Sequence, residues 1–184
     1  MTTIMRFAGL DPSPWANGAG VTYEIARYPG DGGEFGWRLS VAAIDRAGPF
    51  SPLPGIDRTL VALGPHDLHL AIPAATHHLT PLATLAFPGE QPVATVEPVR
   101  PVRALNVMTR RGRVQHTVTV RHGSGPVEIT GRSGAVIVLT GTATVDGTVL
   151  APLDTLLSPT DSVQIEATGA FAVVDFHPMD RGRA

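Results

Sequence analysis

The stretch Leu79–Pro88, with the sequence LTPLATLAFP, recurs without gaps 71 residues later as Leu150–Pro159, LAPLDTLLSP. Six of the ten positions are identical. Similarity at a fixed offset indicates two copies of one structural unit. The sequence therefore predicts two domains, 1–99 and 100–184, with the option that strands are exchanged between them.

Outside this repeat, short apolar segments rich in β-branched residues follow one another along the chain. The 20 Gly and 17 Pro interrupt most windows that could hold a helix. Many short strands at such spacing are typical of a β-barrel or sandwich. Asp146-Gly147 predicts a type I′ hairpin turn between two of them. The predicted strands are 21–28, 37–44, 59–63, 68–72, 82–87, 93–97, 102–109, 113–120, 127–130, 134–140, 143–150, 154–158, 162–167 and 170–176.

The composition narrows the function classes. A net charge of −2 and a pI near 6.4 give no electrostatic reason to expect nucleic acid or an anionic membrane as a partner. The chain has no Cys, and all 14 basic residues are Arg, so thiol and Schiff-base chemistry are excluded. The N-terminal residues lack the apolar core of a signal peptide, which predicts a cytoplasmic protein.

Seven His residues raise the question of a metal site. A strand-borne site favours His-x-His, because that spacing places both imidazoles on one face. The spacings found here, His66 with His69 and the adjacent pair His77 and His78, place the side chains on opposite faces of a strand. We predict no metal and no other cofactor. There is also no Gly-x-Ser-x-Gly nucleophile motif, which favours a binding function over hydrolysis.

Polar residues at strand spacing could instead line a ligand cavity. A strand face that is selectively polar, opposite an apolar face, is what a small barrel with a cavity needs. Guanidinium, amide and carboxylate groups together suit a small polar ligand with a carboxylate or a carbonyl. Solvated outward faces are the alternative. The residues that share faces are Thr22 with Glu24, Arg38 with Ser40, and Asn106 with Met108 and Arg110.

Two loops frame these strands. Trp15–Gly20 joins an aromatic residue to Gly18 and Gly20, which suit a tight turn or a close ligand contact. The Pro-rich segment Ala47–Arg58 is too rigid for a flexible linker, since three prolines fix φ and Phe50 supplies an apolar anchor. It is interpreted as a packed loop that places Arg58 at the start of a strand.

Four motifs in this order resemble the HutD/Ves family. They are Trp15–Ala26, Phe35–Ser40, Gly48–Ser51 with Pro54–Arg58, and Asn106–Gly112. The resemblance covers nearly the whole chain and implies a bicupin, two fused antiparallel β-barrels without the usual cupin metal ligands. It also implies a protein associated with histidine utilisation that acts as a regulator and binds a pathway intermediate.

The resemblance implies pocket roles for seven residues that fall on motif positions: Asn17, Thr22, Glu24, Arg38, Arg58, Asn106 and Arg110. In these roles Arg38 or Arg58 pairs with a ligand carboxylate, Asn17 and Asn106 supply neutral hydrogen bonds, and Glu24 orients an arginine or accepts from the ligand. The chain departs from many HutD members at Ala104, where they carry an acidic residue. Since Ala104 shares a strand face with Asn106, this difference alters the expected ligand or its affinity.

The leading hypothesis is therefore a metal-free bicupin that binds a small polar metabolite, plausibly a carboxylated or formylated intermediate of histidine breakdown, and modulates that pathway. The rival is a metal-independent isomerase or hydrolase with Glu24 as general base. A base predicts a raised Glu24 pKa and an open cavity, whereas a structural role predicts an ion pair with Arg38 or Arg58. A protein-interaction module with an exposed apolar patch is a third alternative. A homodimer is compatible with each of these functions.

Overall fold

The computed structural model describes residues 3–15, 17–29, 34–97, 100–129, 133–157 and 162–179. These residues form β-strands and one short 3₁₀ helix, Phe7–Gly9. The strands are β1 (Thr3–Met5), β2 (Pro12–Pro14), β3 (Gly20–Tyr28), β4 (Trp37–Ile44), β5 (Gly48–Pro49), β6 (Ile56–Leu63), β7 (Leu68–Ile72), β8 (Ala75–Leu79), β9 (Thr84–Pro88), β10 (Ala94–Thr95), β11 (Val102–Arg110), β12 (Val114–Ile129), β13 (Ser133–Val138), β14 (Thr142–Val145), β15 (Thr148–Leu150), β16 (Thr155–Leu157) and β17 (Val163–Pro178).

The prediction of an all-β chain with very little helix is confirmed. Strands β4 and β7 have the predicted bounds. Two pairs of predicted strands are each joined into one strand in the structure: 113–120 and 127–130 overlap β12, and 162–167 and 170–176 overlap β17. In the described ranges, no helix has the length and apolar character that a transmembrane helix requires.

The chain divides into two compact units. Asp11–Gln115 and Pro178–Ala184 form what we call the N-terminal unit, and Met1–Leu10 and His116–His177 form the C-terminal unit. The predicted division between residues 99 and 100 falls inside the N-terminal unit, ahead of β11. Strand β11 belongs there because it pairs with β4 on one side and β6 on the other.

The N-terminal unit contains two antiparallel sheets, with strand orders β2-β3-β4-β11-β6-β9 and β5-β10-β7-β8. Its core includes Ile44, Leu60, Leu68 and Leu70, all essentially inaccessible to solvent. Burial of each such side chain contributes about 1.5–3 kcal/mol. This core supports the sheet from which the candidate site is built.

The C-terminal unit is a seven-stranded sheet with the order β1-β16-β13-β17-β14-β15, in which β12 also pairs with β17. Its core includes Ile129, Leu156, Ile165 and Phe171. The predicted hairpin is confirmed: Val145 pairs with Thr148, and Asp146 and Gly147 have φ of 48° and 76°, as a type I′ turn requires.

The two copies of the sequence repeat form the same turn, one in each unit. Leu82 and Leu153, 71 residues apart, both adopt a positive φ, 69° and 72°, which is rare for a leucine. The amide of Leu82 donates to Ala62 O at 2.8 Å, and that of Leu153 donates to Val138 O at 2.7 Å. The repeat in the sequence thus corresponds to a repeated backbone conformation.

Candidate functional site

The candidate site lies on one face of the β3-β4-β11-β6 sheet of the N-terminal unit. Directly paired residues of antiparallel strands lie on the same face, so the register aligns side chains in rows across the sheet. The rows are Thr22, Ala42, Ala104 and Ala62; Glu24, Ser40, Asn106 and Leu60; and Arg27, Arg38, Met108, Arg58 and Phe87. Five of the seven predicted site residues lie in these rows: Thr22, Glu24, Arg38, Arg58 and Asn106.

A cavity of about 360 Å³ opens over these rows. This volume is within the range of small-molecule sites. Its wall combines a few polar groups with apolar surface, the composition that orients a ligand while excluding water. The lining residues are Ser13, Pro14, Trp15, Thr22, Arg38, Ser40, Ala42, Phe50, Ser51, Leu53, Arg58, Asn106 and Met108.

Arg58 is the least compensated charge in this wall. Its side chain is buried, with 7% of the residue exposed, and its guanidinium lies between the rings of Phe50 and Phe87, 5.3 and 5.0 Å from their centroids. Nη2 donates to Oδ1 of Asn106 at 3.0 Å, while Nε has no hydrogen-bond partner among the described residues. In the described part of the chain, no carboxylate forms an ion pair with Arg58.

The electrostatics of Arg58 follow from this environment. Burial, followed by the positive charge of Arg38, lowers the pKa of Arg58 to about 10. The group is still cationic at neutral pH. A buried cation without a counter-ion is unfavourable, and an acidic group entering the cavity would relieve that cost.

Glu24 is held by two arginines. Arg27 donates from Nε and Nη2 to the two carboxylate oxygens, each at 2.6 Å, and Arg38 donates from Nε to Oε2 at 2.6 Å. The hydrogen bonds from Arg27, with the charge of Arg38, outweigh partial burial and hold the pKa of Glu24 below its ordinary value. Glu24 therefore has the ion-paired environment that a structural role predicts.

A β-bulge brings Arg27 to this carboxylate. Strict alternation would place Glu24 and Arg27 on opposite faces, since they are three residues apart. The register shifts between Glu24 and Ala26, where Ile25 is the extra residue, so that Glu24 pairs with Ser40 and Arg27 pairs with Arg38. Alternation alone could not have identified Arg27.

The Trp15–Gly20 turn contributes an aromatic wall. Nε1 of Trp15 donates to Oγ1 of Thr22 at 2.8 Å, and its ring meets Phe50 edge-on at 5.7 Å. Gly20 is required because a Cβ there would collide with the carbonyl oxygen of Ala43 on β4. The predicted residue Thr22 thus lines the cavity with its hydroxyl already engaged by Trp15.

Asn17 and Arg110, like Glu24, are predicted site residues that lie outside the cavity wall. Asn17 is exposed, and its side chain accepts from Ala19 N and donates to Pro49 O, which ties the turn to the Pro-rich loop. Arg110, at the end of β11, donates to Phe35 O at 3.1 Å and lies 3.6 Å from a carboxylate oxygen of Glu34. Both contacts hold loops that frame the strands.

Other cavity residues were not assigned pocket roles from the sequence. Ser40 and Met108 share strand faces with Arg38 and Asn106, and alternation had already placed them on the faces predicted to line a cavity. Trp15 and Phe50 come from loops, whose side-chain directions do not follow a strand period. Only their aromatic character within Gly- and Pro-rich segments pointed to them.

Ala104 is buried in a row of small residues, between Ala42 and Ala62. Its carbonyl oxygen accepts from Nδ2 of Asn106 at 3.3 Å. The bond keeps Oδ1 of Asn106 directed at Arg58. The alanine leaves this row without an acidic group.

The histidine side chains of the described residues do not form a metal-binding cluster. His69 and His78 pair across β7 and β8 with ring centroids 4.4 Å apart. In the described ranges, no group of three or more His, Asp or Glu side chains could hold a metal ion. The absence of a metal from the cavity stays a prediction from the sequence.

An apolar groove of about 510 Å³ lies beside the cavity in the same unit. It is lined by Phe50, Pro52, Ile72 and Val93, among others, so that Phe50 contributes to both depressions. The interaction-module alternative predicted an apolar patch in place of a cavity, and the N-terminal unit has both.

Comparison with known proteins decides the family. The HutD family model matches residues 8–175. The chain belongs to the HutD family. This HutD-family protein is 36% identical over 129 residues to Protein Ves of Citrobacter koseri, a match that covers 69% of the chain and 67% of the relative. The HutD/Ves resemblance is confirmed.

Solved structures agree with this assignment. The structure of HutD from Pseudomonas fluorescens SBW25 is similar with a TM-score of 0.85 and 26% identity, covering 97% of this chain and 100% of that one. A cupin 2 conserved barrel domain protein from Leptotrichia buccalis has a TM-score of 0.63 at 11% identity, covering 95% and 96% of the two chains. The HutD-family protein therefore has a cupin-like β fold.

Proposed function

We propose that this HutD-family protein binds a small polar metabolite with a carboxylate group in the cavity of its N-terminal unit, and that binding modulates histidine utilisation. The carboxylated or formylated intermediates of histidine breakdown are the expected ligand class. The observation that carries the proposal is Arg58, a buried cation in a cavity wall with no acidic partner among the described residues.

The surrounding groups fit such a ligand. A carboxylate can accept from the terminal nitrogens of Arg38, which donates only its Nε to Glu24, and its negative charge can offset the charge of Arg58 on the same wall. Ser40 and Thr22 add hydroxyl groups on the same wall, and Trp15, Phe50 and Met108 cover the apolar part of a small molecule. This combination supports binding of an oriented anion.

The catalytic alternative uses Glu24 as a general base. Two arginines hold that carboxylate, and its lowered pKa makes it a poorer proton acceptor at neutral pH. Glu24 is also absent from the residues that line the cavity. These features favour a role in which Glu24 positions Arg38.

Thermal-shift measurements with histidine, urocanate, formimidoglutamate and formylglutamate test the proposal. A ligand at 100 times its Kd stabilises the folded protein by about 2.7 kcal/mol, which raises Tm by several degrees. We expect at least one of the four to do so in the wild type and none in Arg58→Met. Absence of any shift in the wild type would exclude the histidine-pathway ligands.

The apo form of Arg58→Met separates loss of binding from loss of folding. Replacing a buried, uncompensated charge with an apolar side chain is often neutral or stabilising, so its Tm should equal or exceed that of the wild type. Arg121→Met is the matched control, since Arg121 also lies over a phenylalanine, Phe171, but in the C-terminal unit. It should retain the ligand-induced shift, and equal binding by Arg58→Met would contradict the proposal.

A further inference from the structure

The polar side of the cavity has more positive than negative charge. Arg38 and Arg58 both line it, and the carboxylate bonded to Arg38 is Glu24. Glu24 is also bonded by Arg27. Among the described residues, the three guanidiniums of Arg27, Arg38 and Arg58 are thus accompanied by one carboxylate, which is bonded to Arg27 and Arg38 only, and the group has a net charge of +2.

The two arginines form different numbers of hydrogen bonds with Glu24. Arg27 forms a two-bond fork to both oxygens, whereas Arg38 makes a single bond through Nε. Paired bonds of this geometry are stronger and more directional than one bond. Arg27 therefore holds Glu24 in place, and the terminal nitrogens of Arg38 have no hydrogen bond to Glu24.

The two cavity arginines are separated along one row of the sheet. Arg38 pairs with Met108, and Met108 pairs with Arg58, so two strand spacings, roughly 10 Å, separate the two backbones. The Met108 side chain, flexible and apolar, lies on the wall between them. This arrangement provides a cationic group at each end of a short apolar floor.

We propose that the cavity selects linear molecules with two acidic groups, one bound by Arg38 and the other by Arg58, and that Arg27 is a positioning residue that keeps Arg38 available. The inference rests on the proposed function and narrows its ligand class from carboxylates to dicarboxylates. If the two arginines instead clamped a single carboxylate, a second acidic group would add nothing to affinity.

Isothermal titration with matched pairs tests this selection. The probes are succinate, glutarate and adipate, each compared with its own monoamide, which has nearly the same shape and one charge fewer. We expect at least one diacid to bind the wild type tenfold or more tightly than its monoamide at fixed pH and salt. Equal affinities within every pair, or no binding by any probe, would overturn the inference, whereas the thermal-shift screen with the histidine-pathway compounds decides the proposed function separately.

Substitutions at Arg27 and Glu24 test the positioning role. In Arg27→Met, Glu24 is left to neutralise Arg38, so the preference for the diacid should fall at least fivefold while monoamide affinity stays within twofold. The double variant Arg27→Met/Glu24→Gln removes that competition and restores the net charge of +2, so the preference should return. A preference unchanged in Arg27→Met, or absent from the double variant, would overturn the role of Arg27.

Discussion

Glu24 is a carboxylate whose chemistry is decided by its neighbours. Two bonds from Arg27 and one from Arg38 stabilise its ionised form, because each N–H donor favours the negative charge. A general base at neutral pH needs the opposite shift, towards protonation near pH 7. Glu24 therefore serves as a fixed hydrogen-bond acceptor for Arg27 and Arg38.

Carbon-13 NMR titration of the side-chain carboxyl groups measures this directly. Glu24 should titrate below the ordinary glutamate value of about 4.3. Its midpoint should rise in Arg27→Met, because the hydrogen bond from Arg27 is the largest cause of the lowered pKa. The Arg121→Met control should leave it unchanged, and a midpoint above 4.3 in the wild type would support the catalytic alternative.

At the scale of single elements, alternation along strands predicted much of the wall and could not predict the rest. Arg38 and Asn106 line the cavity because β4 and β11 are regular strands with the expected faces. Arg27 was not predicted because a bulge reverses the alternation of side chains after Glu24. Trp15 and Phe50 were not predicted because side chains in loops do not alternate regularly. Only three-dimensional packing places them on the cavity wall.

The β14–β15 hairpin shows how a turn residue decides local structure. Gly147 has φ of 76°, and a Cβ there would meet no atom within 4 Å, so backbone strain is the sole cost of a side chain. We expect Gly147→Ala to lower the free energy of unfolding by about 1 kcal/mol. Urea denaturation of the variant and the wild type measures the difference.

Gly9→Ala is the matched control for that substitution. Gly9 also has open space around its Cβ position but does not have a positive φ, and it lies in the same unit. Its stability should stay within about 0.5 kcal/mol of the wild type. Equal losses in the two variants would show that backbone conformation at position 147 is not the cause.

At the scale of the whole molecule, the chain folds as two units whose residues are not contiguous in sequence. The repeat revealed two copies of one turn, but local patterns do not show which strands pair. Strand β11 follows the predicted boundary and yet lies in the middle of the N-terminal sheet, between β4 and β6. Strand β1 opens the chain and pairs with β16 of the C-terminal unit.

Asp154 bonds residues Arg6 and Phe7 within the C-terminal unit. It is buried, and it accepts hydrogen bonds from Nη1 of Arg6 at 2.7 Å and from the amides of Phe7 and Ala151 at 2.9 and 3.0 Å. Burial alone would raise the pKa of Asp154, but these bonds outweigh it and hold the pKa below its ordinary value. The stabilisation is present above the pKa of the unfolded chain and is lost as the pH falls through the folded value.

Acid denaturation of Asp154→Asn tests this contribution. At pH 7 the substitution should lower the stability of the C-terminal unit by about 2 kcal/mol, because the Arg6 guanidinium and the two amide donors lose a charged, buried acceptor. The difference should begin to shrink below about pH 4, where the carboxylate of the unfolded chain becomes protonated, and should disappear once the pH falls below the lowered pKa of the folded protein. Hydrogen exchange of the β1 and β16 amides at several pH values follows this unit separately from the other.

Asp146→Asn is the control for loss of one acidic residue. Asp146 lies in the exposed turn of the same unit, and asparagine tolerates its positive φ of 48°. Its stability should match the wild type at every pH. If the stability lost in Asp154→Asn stays constant from pH 7 to pH 3, the charge of the carboxylate is not the cause.

Trp15 in the cavity wall is an intrinsic fluorescent probe of the cavity. The chain has two tryptophans, Trp15 on the wall and Trp37, which stacks on Tyr28 in the same unit. Indole fluorescence depends on nearby charge and water, and the indole N–H of Trp15 bonds the Thr22 hydroxyl inside this site. In Trp37→Phe, emission would come from Trp15 alone, so occupancy of the cavity could be followed in solution without a label.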